Sequence, residues 1–240
     1  MSSPDRKDLS ILIVDDEGFQ RRILRDALKN LGFPKSKEAD SGQFAIMTMT
    51  EQNFDLVLSD VQMPGMNGLE LLRQIRLGQT QLPRDTRFIV LTSFSNTEVL
   101  GAAMALDVNG FLAKPIKIGI VMEKIGRAIQ ETFQPRSLNE YESVDTNLLS
   151  LEEGVKGSPK QVPKEMPNSG AAEKAIPLRQ LRVGMCVTKA LVASNGTLLI
   201  PAGTVLTQLF INRLWDLDSI LPKESVHIAS APQAENKPAE

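Results

Sequence analysis

The sequence predicts an α/β fold: a doubly wound, five-stranded parallel sheet followed by a small β-rich module. Three observations carry that expectation. Short apolar runs alternate with longer stretches of helical spacing through the first half of the 240 residues, as in parallel strands covered on both faces. Each of four runs ends in a residue able to do chemistry: Asp15-Asp16, Asp60, Thr92 and Lys114. Composition then shifts near Gln134-Pro135, and strand and turn signals return only near Ile176.

The strands are expected near residues 9–15, 35–39, 55–60, 87–92 and 109–113. Helical stretches lie between and after them, near 18–31, 42–52, 66–77, 96–106 and 118–133. In the first helix Phe19, Ile23, Leu24, Ala27, Leu28 and Leu31 repeat at helical spacing, and Gly32 supplies the stop. Five βα units of this length give right-handed crossovers throughout. Ligands bind at the carboxyl ends of the strands in such sheets, so four separate stretches deliver their polar residues to one rim.

From about 134 to 175 the chain is rich in Ser, Glu, Lys, Gln, Asn, Gly and Pro, which predicts a flexible linker. Within it, Leu148, Leu149 and Leu151 suit a short helix. The expected organisation is therefore a first domain over 1–133, a linker over 134–175, a module over 176–230 and a disordered tail over 231–240. In the module, Asn195-Gly196 between Val187–Val192 and Thr197–Ile200 signals a hairpin. Thr207 is placed to cap a short helix whose Phe210, Ile211, Leu214 and Trp215 share a face. Trp215 and Cys186 are read as core residues, and His227 as an ordinary residue of the last strand.

The totals exclude several classes. A net charge of −2 and a pI near 5.7 give no electrostatic case for a nucleic-acid partner. Cys186 is the single cysteine, which suits a reducing compartment. Residues 1–8 lack the apolar core of a signal peptide, and no run approaches the ~18 apolar residues of a membrane span. A cytoplasmic protein without a membrane partner is expected.

At the rim, clustered carboxylates suit a hard divalent cation such as Mg²⁺, which takes oxygen ligands and few protein carboxylates. Lys114 is placed to neutralise a phosphoryl group and the Thr92 hydroxyl to hydrogen-bond it. Asp60 is the carboxylate placed to attack phosphorus and form an acyl phosphate.

The motifs Ile11-Leu12-Ile13-Val14-Asp15-Asp16-Glu17, Asp60-Val61-Gln62-Met63-Pro64-Gly65-Met66-Asn67-Gly68, Leu91-Thr92-Ser93 and Phe111-Leu112-Ala113-Lys114-Pro115 resemble the receiver domain of bacterial two-component response regulators. The similarity covers residues 9 to about 130. It implies a flavodoxin-like fold with strand order 2-1-3-4-5. It also implies that Asp60 accepts phosphoryl from a phosphohistidine on a sensor histidine kinase or phosphotransfer protein. Mg²⁺ would be held by Asp16, Asp60 and the backbone carbonyl of Gln62, with Asp15 acting mainly through water. Thr92 and Phe111 would form the switch pair, and Pro115 resembles the family's cis-proline. Three further residues are expected beside the site: Phe94, either overhanging the phosphoryl group and hindering water or covering the mouth of the next helix, and Arg21-Arg22, either docking the kinase or forming a solvated helix face.

Residues 176–228 are similar to the small β-rich segment that precedes the catalytic domain of HD-GYP phosphodiesterases. The enzyme itself needs several histidines, and His227 is the only one in the chain. From Ala171 to the end, seven Lys and Arg face six Asp and Glu, which does not support a DNA-binding output. The expected function is a phosphorylation-switched regulator without an output enzyme, acting through an unknown output protein, with a homodimer left open. A phosphate sink for a kinase, and less so a transcriptional regulator, are the alternatives.

Overall fold

The apolar runs pair as parallel strands at the expected positions. A computed structural model describes residues 5–93, 96–147, 173–193, 197–218 and 226–229, and the chain divides into two compact units, 1–157 and 158–240. In the first, β1 (Ser10–Val14), β2 (Lys35–Ala39), β3 (Leu56–Asp60), β4 (Arg87–Thr92) and β5 (Gly110–Ala113) alternate with α1 (Gly18–Asn30), α2 (Gly42–Glu51), α3 (Gly68–Arg76), α4 (Thr97–Ala105) and α5 (Ile118–Gln130). The sheet order is β2-β1-β3-β4-β5, with every pairing parallel.

Burial explains why the central runs are continuous in apolar character. Ile11 to Val14 and all of β3 are buried, because helices cover both faces. On one side Ile11, Ile13, Leu56, Leu58, Ile89 and Leu91 pack with Leu24 and Leu28 of α1 and Val121 and Ile125 of α5. Each such side chain contributes about 1.5–3 kcal/mol. The outer strand β2 instead exposes Lys35 and Lys37, charges that discourage pairing at the sheet edge.

Two details of the helices differ from expectation. The buried stripe of α1 is Leu24, Ala27 and Leu28, while Phe19 and Ile23 face outward. Gly32, at φ +90, follows α1 in the left-handed conformation that closes a helix. α5 stops at Gln130 rather than near 133, and Phe133 lies beneath the Arg76 guanidinium, 4.8 Å from its carbon to the ring centre.

The segment beyond α5 corrects the expected linker. Residues 134–147, predicted to be flexible, belong to the first unit and pack along its helices. Ser137 and Glu140 form a capping box at the start of α6 (Leu138–Glu142), and Tyr141 is fully buried. Local composition gave no sign of this because the partners of the segment lie far away in sequence, on α3 and after α4. The remainder of the expected linker up to 172, including Leu148, Leu149 and Leu151, lies outside the described residues, as does the tail.

In the second unit, β6 (Glu173–Ile176) pairs antiparallel with β9 (Val226–Ala229). Ordered pairing therefore begins at 173, inside the span expected as linker. β7 (Leu191–Val192) and β8 (Leu198–Ile200) form the expected antiparallel pair, and the Asn195-Gly196 turn lies outside the described residues. The hairpin arm is shorter than predicted because Val187 bridges to Ile228 and Cys186 to Val205. The hydroxyl of Thr207 accepts the Phe210 N–H (3.3 Å) and caps α7 (Gln208–Asp216). The face of α7 that is buried holds Leu209, Ile211 and Leu214 with Asn212 and Arg213. Trp215 is 41% exposed, so it is not the core residue its helical position suggested; its indole N–H donates to the Leu178 carbonyl (3.4 Å). Cys186 is half-buried, and His227 sits in β9 opposite Ala175.

Candidate functional site

The carboxyl ends of β1, β3, β4 and β5 bring Asp15, Asp16, Asp60, Thr92 and Lys114 to one rim. Lys114 Nζ donates to Asp15 Oδ2 (3.0 Å) and lies 2.7 Å from Asp60 Oδ2. One oxygen each of Asp15, Asp16 and Asp60 lies within 4.8 Å of the others. Asp15 and Asp60 are buried and Asp16 is exposed. A cleft of about 180 Å³ opens above them, lined by Asp16, Asp60, Gln62, Thr92 and Lys114.

Local folding fixes each group. The Lys114 N–H donates to the Thr92 carbonyl (2.8 Å), tying the ends of β4 and β5 together, and the Lys114–Pro115 peptide is cis. Asp15 Oδ1 accepts the Glu17 N–H (2.8 Å), so both of its oxygens are engaged by protein groups. The loop after Asp60 folds back on it: Gly68 N–H donates to the Val61 carbonyl (3.1 Å), and a Cβ at Gly68 would come 2.1 Å from the Asp60 carbonyl oxygen. Only glycine permits that approach.

The electrostatics are unbalanced. Burial raises the Asp60 pKa above the ordinary carboxylate range; hydrogen bonding and attraction from Lys114 work against this, and repulsion from Asp15 adds to it. Burial disfavours the Lys114 ammonium, but its hydrogen bonds and charge attraction to Asp60 and Asp15 outweigh that and raise its pKa. Three carboxylates thus face one firmly protonated amine. An oxygen-only donor set with excess negative charge fits a hard divalent cation such as Mg²⁺.

Other expected residues fall as follows. Phe111 is buried on β5. Arg21 does not project into solvent: its Nη1 donates to the Asp15 carbonyl (2.5 Å) and its Nε lies 3.6 Å from Glu38, while Arg22 is exposed. Phe94 lies outside the described residues. Glu17, Gln20 and Asn96 also line the cleft, and sequence reasoning did not single them out. Asn96 carried a usable signal, since its side chain accepts the N–H groups of Glu98 and Val99 as the cap of α4.

Comparison with known proteins decides the family. The model of the response regulator receiver domain matches residues 11–126. The chain is 35% identical over 124 residues to chemotaxis protein CheY-3 of Vibrio cholerae, covering 52% of this chain and 94% of that protein. The chain belongs to the response regulator receiver family. A second relative of the receiver, chemotaxis protein CheY of Pseudomonas aeruginosa, is 36% identical over 122 residues, 51% of this chain and 97% of that one. The solved structure of CheY4 of Vibrio cholerae matches with a TM-score of 0.46 at 26% identity, over 50% of this chain and 98% of that chain. Receivers function in two-component signalling with histidine kinases or phosphotransfer proteins, and generally bind Mg²⁺ through an acidic cluster like this one. Among the described residues, no helix is long and apolar enough to cross a membrane.

Proposed function

We propose that Asp60 is the phosphoacceptor of a cytoplasmic switch whose output is a protein–protein contact. The observation that carries this is Lys114 bridging Asp15 and Asp60 beside Asp16 at the strand ends. A carboxylate oxygen of Asp60 attacks the phosphorus of a phosphohistidine, the P–N bond breaks, and the imidazole nitrogen leaves with the electron pair. Lys114 holds its ammonium against the incoming phosphoryl oxygens, and the Thr92 hydroxyl hydrogen-bonds one of them. Asp16, Asp60 and the Gln62 carbonyl would hold Mg²⁺, with Asp15 acting through water; bound there, the ion neutralises charge on the phosphoryl oxygens. Hydrolysis reverses the gain: water attacks phosphorus and Asp60 departs as carboxylate.

Thr92 and Phe111 are the switch pair: Thr92 turns toward the phosphoryl group, and Phe111, already buried in this structure, is held in its inward position, biasing the surface around α4, β5 and α5. Residues 176–230 serve as an interaction unit rather than an enzyme or DNA reader, a reading supported by the single histidine and by the near-neutral charge from Ala171 to the end.

Incubating the full chain with phosphoramidate and Mg²⁺ tests the first claim by intact mass. One phosphoryl adduct is expected, absent without Mg²⁺ and absent in Asp60→Asn; an adduct persisting in Asp60→Asn would overturn the assignment. Capture of partners on beryllofluoride-loaded protein tests the second. A protein held in one state alone supports a switched contact, whereas retention of a kinase and nothing state-dependent would make the receiver a phosphate sink.

A further inference from the structure

Residues 135–147 cross the first unit from the base of the sheet to its reactive rim. At the base, the Tyr141 hydroxyl donates to Asp107 Oδ2 (2.7 Å) and accepts the Arg136 N–H (2.9 Å). Arg136 Nε donates to the same carboxylate oxygen (2.9 Å), and Arg84 Nη2 donates to the Arg136 carbonyl (2.7 Å). Asp107 itself is a non-glycine residue at φ +53, a conformation that costs energy unless its surroundings hold it. From there the segment climbs α3. Arg73 Nη1 donates to the Val144 carbonyl (3.2 Å), and the Thr146 hydroxyl donates to Glu70 Oε2 (2.7 Å). The nine residues of α3 span roughly 12 Å.

The upper end meets the loop that follows Asp60. Asn67 Oδ1 accepts the Glu70 N–H (2.9 Å) and caps α3, while Asn67 Nδ2 donates to the Thr146 carbonyl (2.7 Å). Asn67 is followed directly by Gly68, which is pressed against the Asp60 carbonyl. Displacing Asn67 therefore displaces the peptide of Asp60. Burial works against the charge of Glu70, yet the Thr146 hydroxyl, Gln74 and Arg73 hold its pKa below the usual range, so this grip is charge-assisted.

We propose that residues 135–147 form a positioning strap: docked along α3, they hold the 61–68 loop in the geometry that binds cation and phosphoryl group. The proposal rests on the reading of Asp60 as phosphoacceptor. Tyr141, Asp107 and Thr146 are positioning residues that touch none of the reacting atoms. Coupling of this kind is reciprocal, so occupying the rim also tightens the strap.

The test uses the full chain as wild type, Tyr141→Ala, Tyr141→Phe and Thr146→Val. Each is titrated with Mg²⁺ by calorimetry, and followed by hydrogen exchange with and without beryllofluoride plus Mg²⁺. Tyr141 lies at the base, so an effect on the rim must travel through the strap. Tyr141→Ala is expected to weaken Mg²⁺ binding about fivefold and to speed exchange in 61–68. Tyr141→Phe and Thr146→Val are expected to fall between it and wild type, and beryllofluoride to slow exchange at 138–147 in wild type. If Tyr141→Ala speeds exchange in 135–147 alone and leaves Mg²⁺ affinity and the loop unchanged, the strap is only packing and the proposal fails. If wild type binds neither Mg²⁺ nor beryllofluoride, the phosphoacceptor reading itself fails, and the strap's role falls with it.

Discussion

At the rim of the receiver sheet three carboxylates cluster beside one ammonium, which bonds two of them, whereas at the base a buried and a half-buried arginine meet backbone carbonyls. Arg76, fully buried, donates Nε to Leu106 (3.1 Å), Nη1 to Arg84 and Thr86 (2.6 and 2.9 Å) and Nη2 to Asp107 (3.0 Å). Arg87 reaches the carbonyls of Ala128, Ile129 and Glu131. These donors replace water for carbonyls at the ends of α4 and α5 and, at Arg84 and Thr86, in the loop before β4. The rim has no comparable balance: burial and Asp15 push Asp60 toward its protonated form despite Lys114. Buried charge at the base is a structural fastener, and buried charge at the rim is a site prepared for a cation. The strap joins the two, gripping Asp107 below and Asn67 above.

The sharpest way to break this contrast is to remove the fastener. Arg76→Met strips four carbonyl acceptors of their donor and should destabilise the receiver by about 3 kcal/mol or more, read from its urea transition. A loss no larger than that of an exposed residue would mean the base is not held as described.

The rim should respond with the opposite sign. Because the folded pKa of Asp60 is raised, the stability associated with its protonated form is present at acid pH and lost as pH rises through that raised value. Metal-free Asp60→Asn should therefore match wild type at acid pH, below the ordinary carboxylate range, and exceed it at neutral pH. Adding Mg²⁺ should reverse the neutral order, since only wild type keeps the carboxylate ligand. Equal melting profiles at every pH, with and without Mg²⁺, would contradict the charge imbalance.

The smallest effect sits at the joint between the two regions. Tyr141→Phe removes a buried hydroxyl with two partners and should cost about 1–2 kcal/mol, measurable as a shift in the receiver's urea midpoint. A neutral result would show that packing of the ring, not the grip on Asp107, seats the strap.

The central strands were legible because Ile11 to Val14, Leu56 to Ser59 and Phe88 to Leu91 are buried on both faces, which forces unbroken apolar runs; their order was legible only through the resemblance carried by the motifs at their ends. The rim was legible because its residues follow those runs directly. The strap was not: Tyr141 is one aromatic in a polar stretch, and Asp107, Glu70 and Asn67, which hold it, are 34 to 79 residues away. The face of α7 was half legible, since spacing locates Ile211 and Leu214 but cannot say that Arg213 is buried over the Phe210 ring, 5.3 Å from its centre, while Trp215 turns out. Phe19 and Ile23 show the same limit, for periodicity marks a stripe without saying how far along α1 it stays covered.

The most direct measurement is residue-level trapping of the acyl phosphate. Wild-type protein treated with phosphoramidate and Mg²⁺ is reduced with borohydride, which converts an aspartyl phosphate to homoserine, and the peptides are sequenced by mass spectrometry. Conversion at residue 60 and at no other carboxylate is the predicted result. Conversion at Asp15 or Asp16 instead, or none at residue 60 in protein that has gained phosphoryl mass, would contradict the assignment of Asp60.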